Sequence, residues 1–282
     1  MAEIFWFKYL RKGPLTGERM RQGIHMKKNA RHPQDLSMDE KIERMKEILN
    51  DSTNIVFLGG AGVSTESGIP DFRSKDGLYR KADRTFSKYR PEYLLSYECL
   101  HRKPELFFSY FRKNLDVRDV LPNTAHYRLA EMEKRGKLAG IITQNIDGLH
   151  QKAGSRTVEE IHGSALRSRC VSCRLTYGPD FIFRSPDPVP RCPACGKMVR
   201  PEVTLYGELL PEPAYENAVS LIRNADCLMI GGTSLEVGSA AGLAHLFHGE
   251  HLIIINKGKT KMEGKADLVF HESIGRVLNE VW

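Results

Sequence analysis

The sequence predicts a fold of the α/β class, a doubly wound parallel sheet carrying two insertions, on two observations. Short, wholly apolar runs recur at 55–58, 138–142, 227–230 and 252–255, and such runs suit strands buried on both faces of a parallel sheet. Between them, residues 125–134, 213–224 and 240–247 show helical spacing, and strands alternating with helices argue for a Rossmann-like arrangement. The 282 residues are 41% apolar and 27% charged, ordinary for a globular protein and incompatible with collagen-like or wholly disordered classes. No apolar run approaches the roughly 18 residues that a membrane span needs.

Residues 1–36 mix Phe5, Trp6, Phe7 and Tyr9 with Arg, Lys, Gly and Pro and show no sustained period. They read as a poorly ordered basic extension. Residues 1–35 hold eight basic and three acidic side chains, a net +5 of the total +7, so the rest of the chain is nearly neutral. A basic face for phosphate backbones is therefore not expected, nor is direct nucleic-acid binding. Ser37 followed by Glu40 is a capping-box pattern, and Ile42, Met45, Ile48 and Leu49 continue at helical spacing, which predicts the first helix. The run at 55–58 is the first strand. Residues from about 78 to 121 interrupt the alternation as a helical insertion in which Phe107, Phe108, Tyr110, Phe111 and Leu115 crowd together. Asn123 or Thr124 caps the helix that follows. A second insertion, about 166–199, holds four cysteines and little apolar periodicity. One domain, 37–282, results, with its core at about 37–77, 122–165 and 200–282.

Cys170-Val-Ser-Cys173 is followed after eighteen residues by Cys192-Pro-Ala-Cys195. Two thiol pairs at this spacing close a tetrahedral Cys₄ zinc site with no position left for water, so the metal is read as a structural staple in a small zinc ribbon. An insertion this poor in apolar residues needs a bound metal to fold. With no apolar leader ahead of them, reduced cysteines point to a cytoplasmic setting.

Directly after the first strand comes Gly59-Gly60-Ala61-Gly62-Val63-Ser64-Thr65. Glycines at a strand-to-helix turn let backbone N–H groups approach a pyrophosphate. Thr65 stands where the third glycine of the dinucleotide fingerprint would be, so this loop alone does not separate a nucleotide site from a tight turn. Polar motifs follow at other strand ends: Gly68-Ile69-Pro70-Asp71-Phe72-Arg73, Gln144-Asn145-Ile146-Asp147, His162-Gly163, Gly232-Thr233-Ser234 and Asn256. Four strand ends that carry small or polar residues along one sheet edge describe a ligand crevice.

These motifs, in this order, resemble the sirtuin family, the NAD-dependent protein lysine deacylases, over about residues 37–282, including Val199-Arg-Pro201 and Tyr206-Gly-Glu208. The resemblance implies NAD and zinc as cofactors and His162 as the general base. It places Gly60, Ala61, Gly62 and Thr65 against the phosphates, with Phe72 and Arg73 in a loop that closes over them. Ile69, Asp71, Ile146 and Asp147 would form the nicotinamide pocket, Gln144 and Asn145 would contact ribose, and Thr233, Ser234, Asn256 and Ile274 would hold the adenosine half. The acyl oxygen would attack C1′ of the ribose to give an alkylimidate, and His162 would draw a proton from the ribose hydroxyls, a task for which an imidazole is suited. Acylated lysine peptides would add as a strand to residues 203–208 and 232–237. Tyr206 stands where the family usually has Phe. Phe111 and Asn114 align with the Tyr and Arg that pair succinyl or malonyl carboxylates in other members, which favours acetyl or another neutral acyl group; a shift in register would bring Tyr110 and Arg112 into question. Mono-ADP-ribosyl transfer on the same fold and a zinc-ribbon nucleic-acid binder are the alternatives.

Overall fold

The computed structural model describes residues 36–71, 77–78, 85–236 and 238–282. The chain runs α1 (Met38–Asp51), β1 (Ile55–Gly59), then α2 (Pro91–Leu94), α3 (Tyr97–Arg102), α4 (Pro104–Asn114) and α5 (Thr124–Lys134). Next come β2 (Leu138–Thr143), α6 (Leu149–Ala153), β3 (Val158–Glu160), β4 (Gly163–Cys170), β5 (Thr176–Tyr177) and α7 (Asp180–Phe183). The last part is β6 (Val199–Val203), α8 (Glu212–Asn224), β7 (Cys227–Gly231), α9 (Gly238–His245), β8 (His251–Ile255), β9 (Leu268–Phe270) and α10 (Ile274–Val281). No helix among the described residues is long and apolar enough to cross a membrane.

Six strands form one sheet in the order β3-β2-β1-β7-β8-β9, and every neighbouring pair is parallel. From β1 the chain builds outward to β3, then returns to the other side of β1 and builds outward again. The strand order therefore reverses between β1 and β7, the place where open α/β sheets bind ligands beyond the strand ends. Because successive strand residues point to opposite faces, Ile55 and Phe57 pack with α1, α5 and α10, while Val56 and Leu58 pack with α8 and α9. The apolar runs are uninterrupted for this reason. At α1 the Ser37 N–H donates to the Glu40 carboxylate at 2.8 Å and the Glu40 N–H to Ser37 Oγ at 3.3 Å, the expected capping box.

A third core joins what the sequence presents as two separate insertions. Phe107, Phe108 and Phe111 of α4 pack with Ile182 of α7, Val199 and Val203 of β6, and Cys170 and Cys192. Phe111 stacks on Phe183 with ring centroids 5.5 Å apart, and Arg112 donates to the carbonyls of Ile182 and Asp187 at 2.9 and 2.7 Å. The cysteine-bearing segment thus draws apolar burial from a helix some 70 residues upstream, so metal is not its sole source of stability, as its local composition suggests. β4 and β6 pair antiparallel beside β5 in a three-stranded sheet. Gly163 at the start of β4 has φ +76°, and a Cβ there would stand 2.0 Å from the Glu202 carbonyl oxygen.

Two imidazoles are buried where α5 meets α6. Asn123 caps α5, its N–H donating to Nδ1 of His126 at 3.2 Å, and the His126 and His150 ring centroids lie 4.7 Å apart. Nε2 of His126 and both ring nitrogens of His150 have no hydrogen-bond partner among the described residues. Burial pushes His126 down to about 4 and, helped by His126, His150 down to about 3. Since an unfolded histidine titrates near about 6.5, the unfolded chain takes up protons first as pH falls. Stability should therefore decline from pH ~6.5 toward ~4, by up to about 1.4 kcal/mol per unit for each ring. Urea midpoints measured from pH 7 to about 4.5 should show this decline, and His150→Leu should flatten it; an unchanged slope in that variant would contradict the assignment.

Candidate functional site

At the carboxyl ends of β1 and β7 two main chains touch with no side chain between them. The Gly60 N–H donates to the Gly231 carbonyl at 3.1 Å and the Gly62 N–H to the Gly232 carbonyl at 2.8 Å. A Cβ on Gly62 would lie 2.7 Å from Gly232 Cα, and one on Gly60 2.7 Å from Thr233 Cβ. Close approach of the two loops, rather than turn geometry alone, therefore calls for glycine here. This crossing also corrects the expected strand-to-helix turn. Held by the β7 loop, the chain leaves β1 through two 3₁₀ turns, Ala61–Val63 and Thr65–Ser67, instead of an α-helix. Thr65 Oγ1 donates to the Gly62 carbonyl at 3.0 Å, which ties Ala61, Gly62 and Thr65 into one compact turn.

The end of β2 faces this turn. Gln144 receives its place from its own N–H, which donates to the Gly59 carbonyl at 3.0 Å, and its Nε2 bridges to Thr233 Oγ1 at 3.0 Å. Ser64, buried in the glycine loop, donates to Asp147 Oδ2 at 2.7 Å and accepts from Asn145 Nδ2 at 3.0 Å. The other Asp147 oxygen accepts the Leu149 N–H at 2.9 Å. Burial raises the Asp147 carboxyl from the usual carboxylate range, and the Leu149 N–H and Ser64 hydroxyl oppose that rise. Ser64 thus joins the β1 and β2 loops, a role that sequence reasoning passed over although the residue stands inside the glycine motif. Ile69 and Ile146, both half-buried, pack on the aromatic third core, and the Asp71 carbonyl accepts the Leu78 N–H at 2.7 Å. Phe72 and Arg73 lie outside the described residues.

His162 occupies the turn between β3 and β4. Its Nδ1 is 3.0 Å from the Gln144 carbonyl and its Nε2 is 3.4 Å from Ser239 Oγ. A carbonyl only accepts, so Nδ1 carries a proton, and in the neutral ring Nε2 presents a lone pair. Burial holds the imidazole below its ordinary value, and the Gln144 carbonyl partly offsets this. The crevice so formed brings together Gly60, Ala61, Gly62, Gln144, Asn145, Asp147, His162 and Thr233. Farther along the sheet edge, the Asn256 N–H donates to the Phe270 carbonyl at 2.9 Å and its side chain to Gly258, and Ser234 is half-buried beside Thr233. Ile274 is 3% exposed in the first core, with its Cδ1 3.1 Å from where a Gly231 Cβ would be. It supports the glycine crossing from below.

The four motif cysteines converge. Their Sγ atoms all lie within 4.8 Å of one another, at 3.4 Å for Cys170 and Cys195 and 3.5 Å for Cys173 and Cys192. Zinc–thiolate bonds of about 2.3 Å in a tetrahedron put sulfurs about 3.8 Å apart, whereas a disulfide needs about 2.05 Å. The donor set therefore fits zinc. The Tyr177 hydroxyl donates to Cys192 Sγ at 3.0 Å and is the chief reason that this thiol falls to about 6.

The family model described as "Sir2 family" matches residues 60–239. An NAD-dependent protein deacetylase of Clostridium perfringens is 51% identical over 246 residues, covering 86% of this chain and 99% of that protein. A solved Sir2 with deacetylated p53 peptide and 3′-O-acetyl ADP ribose superposes with TM-score 0.78 at 33% identity, over 85% of this chain and 96% of its own. A Sir2 bound to acetylated peptide gives TM-score 0.77 at 32% identity, over the same shares of the two chains.

Removing one thiol should break the metal cluster and leave the crevice residues in place. Metal analysis of purified protein should find one zinc per chain in the wild type and next to none in Cys192→Ser, with a clearly lower melting temperature. A variant that retained full zinc would contradict the four-thiolate site.

Proposed function

This chain belongs to the Sir2 family, and on that premise we propose how its own residues carry out the reaction of an NAD-dependent protein lysine deacetylase. The protein removes acetyl groups from lysine side chains of proteins or peptides, with nicotinamide and 2′-O-acyl-ADP-ribose as products. NAD supplies a ribosyl bond to a cationic leaving group. The turn formed by Gly60, Ala61, Gly62 and Thr65 receives the phosphates at the sheet's reversal point. Gln144 and Asn145, fixed by Gly59, Thr233 and Ser64, face the ribose. Ile69, Asp71, Ile146 and Asp147 enclose the nicotinamide end, where the Asp147 carboxylate can accept from carboxamide N–H donors. Thr233, Ser234 and Asn256 take the adenosine half.

The lone pair that His162 presents at Nε2 carries this reading. A neutral imidazole with its other nitrogen tied to a carbonyl can accept a proton from a ribose hydroxyl without turning. Because burial lowers its titration, the base form persists below the ordinary histidine value, and the acidic limb of kcat/KM should fall below pH ~6.5.

For the peptide we place strand addition near residues 203–208 and 232–236. Much of the first segment is already engaged: the Tyr206 N–H and carbonyl bond Leu95 and Tyr97, and the Thr204 N–H bonds the His162 carbonyl. The β7 loop then has to supply the larger share of main-chain partners. Phe111 is buried in the third core and Asn114 donates to the Tyr110 carbonyl, while Arg112 is committed to Ile182 and Asp187. This arrangement supports neutral acyl groups in preference to succinyl. Four thiols held for zinc suit a reducing, cytoplasmic setting.

Acetyl, butyryl and succinyl lysine peptides, assayed side by side with NAD, test the reading. Acetyl should be lost in step with nicotinamide release, succinyl should turn over poorly, and His162→Ala should lower the rate by about 10²–10⁴-fold. Wild-type turnover by His162→Ala would refute the base assignment, and a ribosyl mass gain on the peptide without loss of acetyl would indicate ADP-ribosyl transfer instead.

A further inference from the structure

Ser239 lies in the first turn of α9, the helix that leaves the β7 side of the crevice, and is half-buried there. Its Oγ is 3.4 Å from Nε2 of His162. Since Nδ1 carries the ring proton toward the Gln144 carbonyl, Nε2 offers a lone pair, and against a lone pair a hydroxyl can only donate. We propose that Ser239 is a positioning residue for the base, its hydroxyl donating to Nε2 of His162 until a ribose hydroxyl takes its place. This inference rests on His162 being the base.

The separation suits a placeholder. Hydroxyl hydrogen bonds cluster near about 2.7–2.8 Å, so a contact at 3.4 Å is weak and is exchanged for a shorter one at little cost. A tight bond would instead compete with substrate. The imidazole is held at both nitrogens, from the β2 end and from α9, so its plane is set before ligands arrive. These two contacts act in opposite senses: the Gln144 carbonyl favours the protonated ring, and the Ser239 hydroxyl favours the neutral one.

Charged groups around the ring are engaged elsewhere. Glu160 pairs with Arg167, Glu202 pairs with Arg167 and Arg169, and Glu159 accepts from Asn217. Asp147 bonds Ser64 and Leu149, and Glu236 is exposed on the loop before α9. Among the described residues none of these carboxylates makes a hydrogen bond or ion pair with the imidazole.

Nitrogen NMR of imidazole-labelled protein without ligands reads the ring directly, with His162 assigned by the signals that vanish in His162→Ala. Wild type should show the Nδ1–H tautomer. Ser239→Ala, which suits a helix, should raise the His162 titration midpoint by roughly 0.3–1 pH unit, the range expected for one weak neutral hydrogen bond. Ser239→Thr, which keeps the hydroxyl, should stay at the wild-type midpoint. An unchanged midpoint in Ser239→Ala, with the other histidine signals intact, would overturn the proposal. Should His162→Ala lose deacetylation while Ser239→Ala leaves the midpoint unmoved, only the role of Ser239 fails; should His162→Ala deacetylate normally, the base assignment itself fails.

Discussion

The contact on which the rest depends is backbone against backbone: the loop after β1 crosses the loop after β7 with only glycine hydrogens between them. Two N–H donors, from Gly60 and Gly62, close that crossing. Any side chain there would push the loops apart and open the point where the strand order reverses. Fixing the crossing also fixes Thr233, which then holds Gln144, whose carbonyl in turn holds the imidazole of His162. A steric requirement at four glycines (Gly60, Gly62, Gly231 and Gly232) thus propagates through two hydrogen bonds to the imidazole of His162. Ile274 and Phe57 supply the floor beneath it, both close to where a Gly231 Cβ would stand.

Around that centre the molecule divides its burial among three cores. Two lie on opposite faces of the parallel sheet and follow from alternation along β1, β2, β7 and β8. The third ties α4 to the zinc module through Phe107, Phe108 and Phe111. This shared core fixes the cysteine-bearing segment against α4. The loop that follows β6 is stiffened as well: Arg200 forms an ion pair with Glu208, whose carboxylate accepts the Leu205 N–H at 2.9 Å. The main chain near Tyr206 is also held, its N–H and carbonyl bonded to Leu95 and Tyr97.

Much of this was legible in the chain because the signals were local. Uninterrupted apolar runs marked β1, β2, β7 and β8 to within a residue or two, and Ser37 with Glu40 marked the start of α1. The cysteine pairs announced their own convergence. Other features depend on tertiary partners and leave little local trace. β3 has one apolar residue in three and is a strand because β2 pairs with it; β9 is equally short. The 3₁₀ path after β1 follows from bonds to residues 170 positions away. Ser64 and Ser239 look like ordinary small residues in glycine- and alanine-rich text, and only burial beside Asp147 and His162 distinguishes them. The shared core of the two insertions was likewise hidden, since Phe111 and Ile182 meet only in three dimensions.

The central claim is that one crevice at the sheet's reversal point receives both the cofactor sugar and the modified lysine beside a single imidazole. A crystal structure of the protein with NAD and an acetyl-lysine peptide tests it most directly. The account predicts the acyl oxygen within about 3.5 Å of ribose C1′, and a ribose hydroxyl within reach of Nε2 of His162. Ribose and acyl group lodged in separate cavities, or a ribose remote from that imidazole, would contradict it.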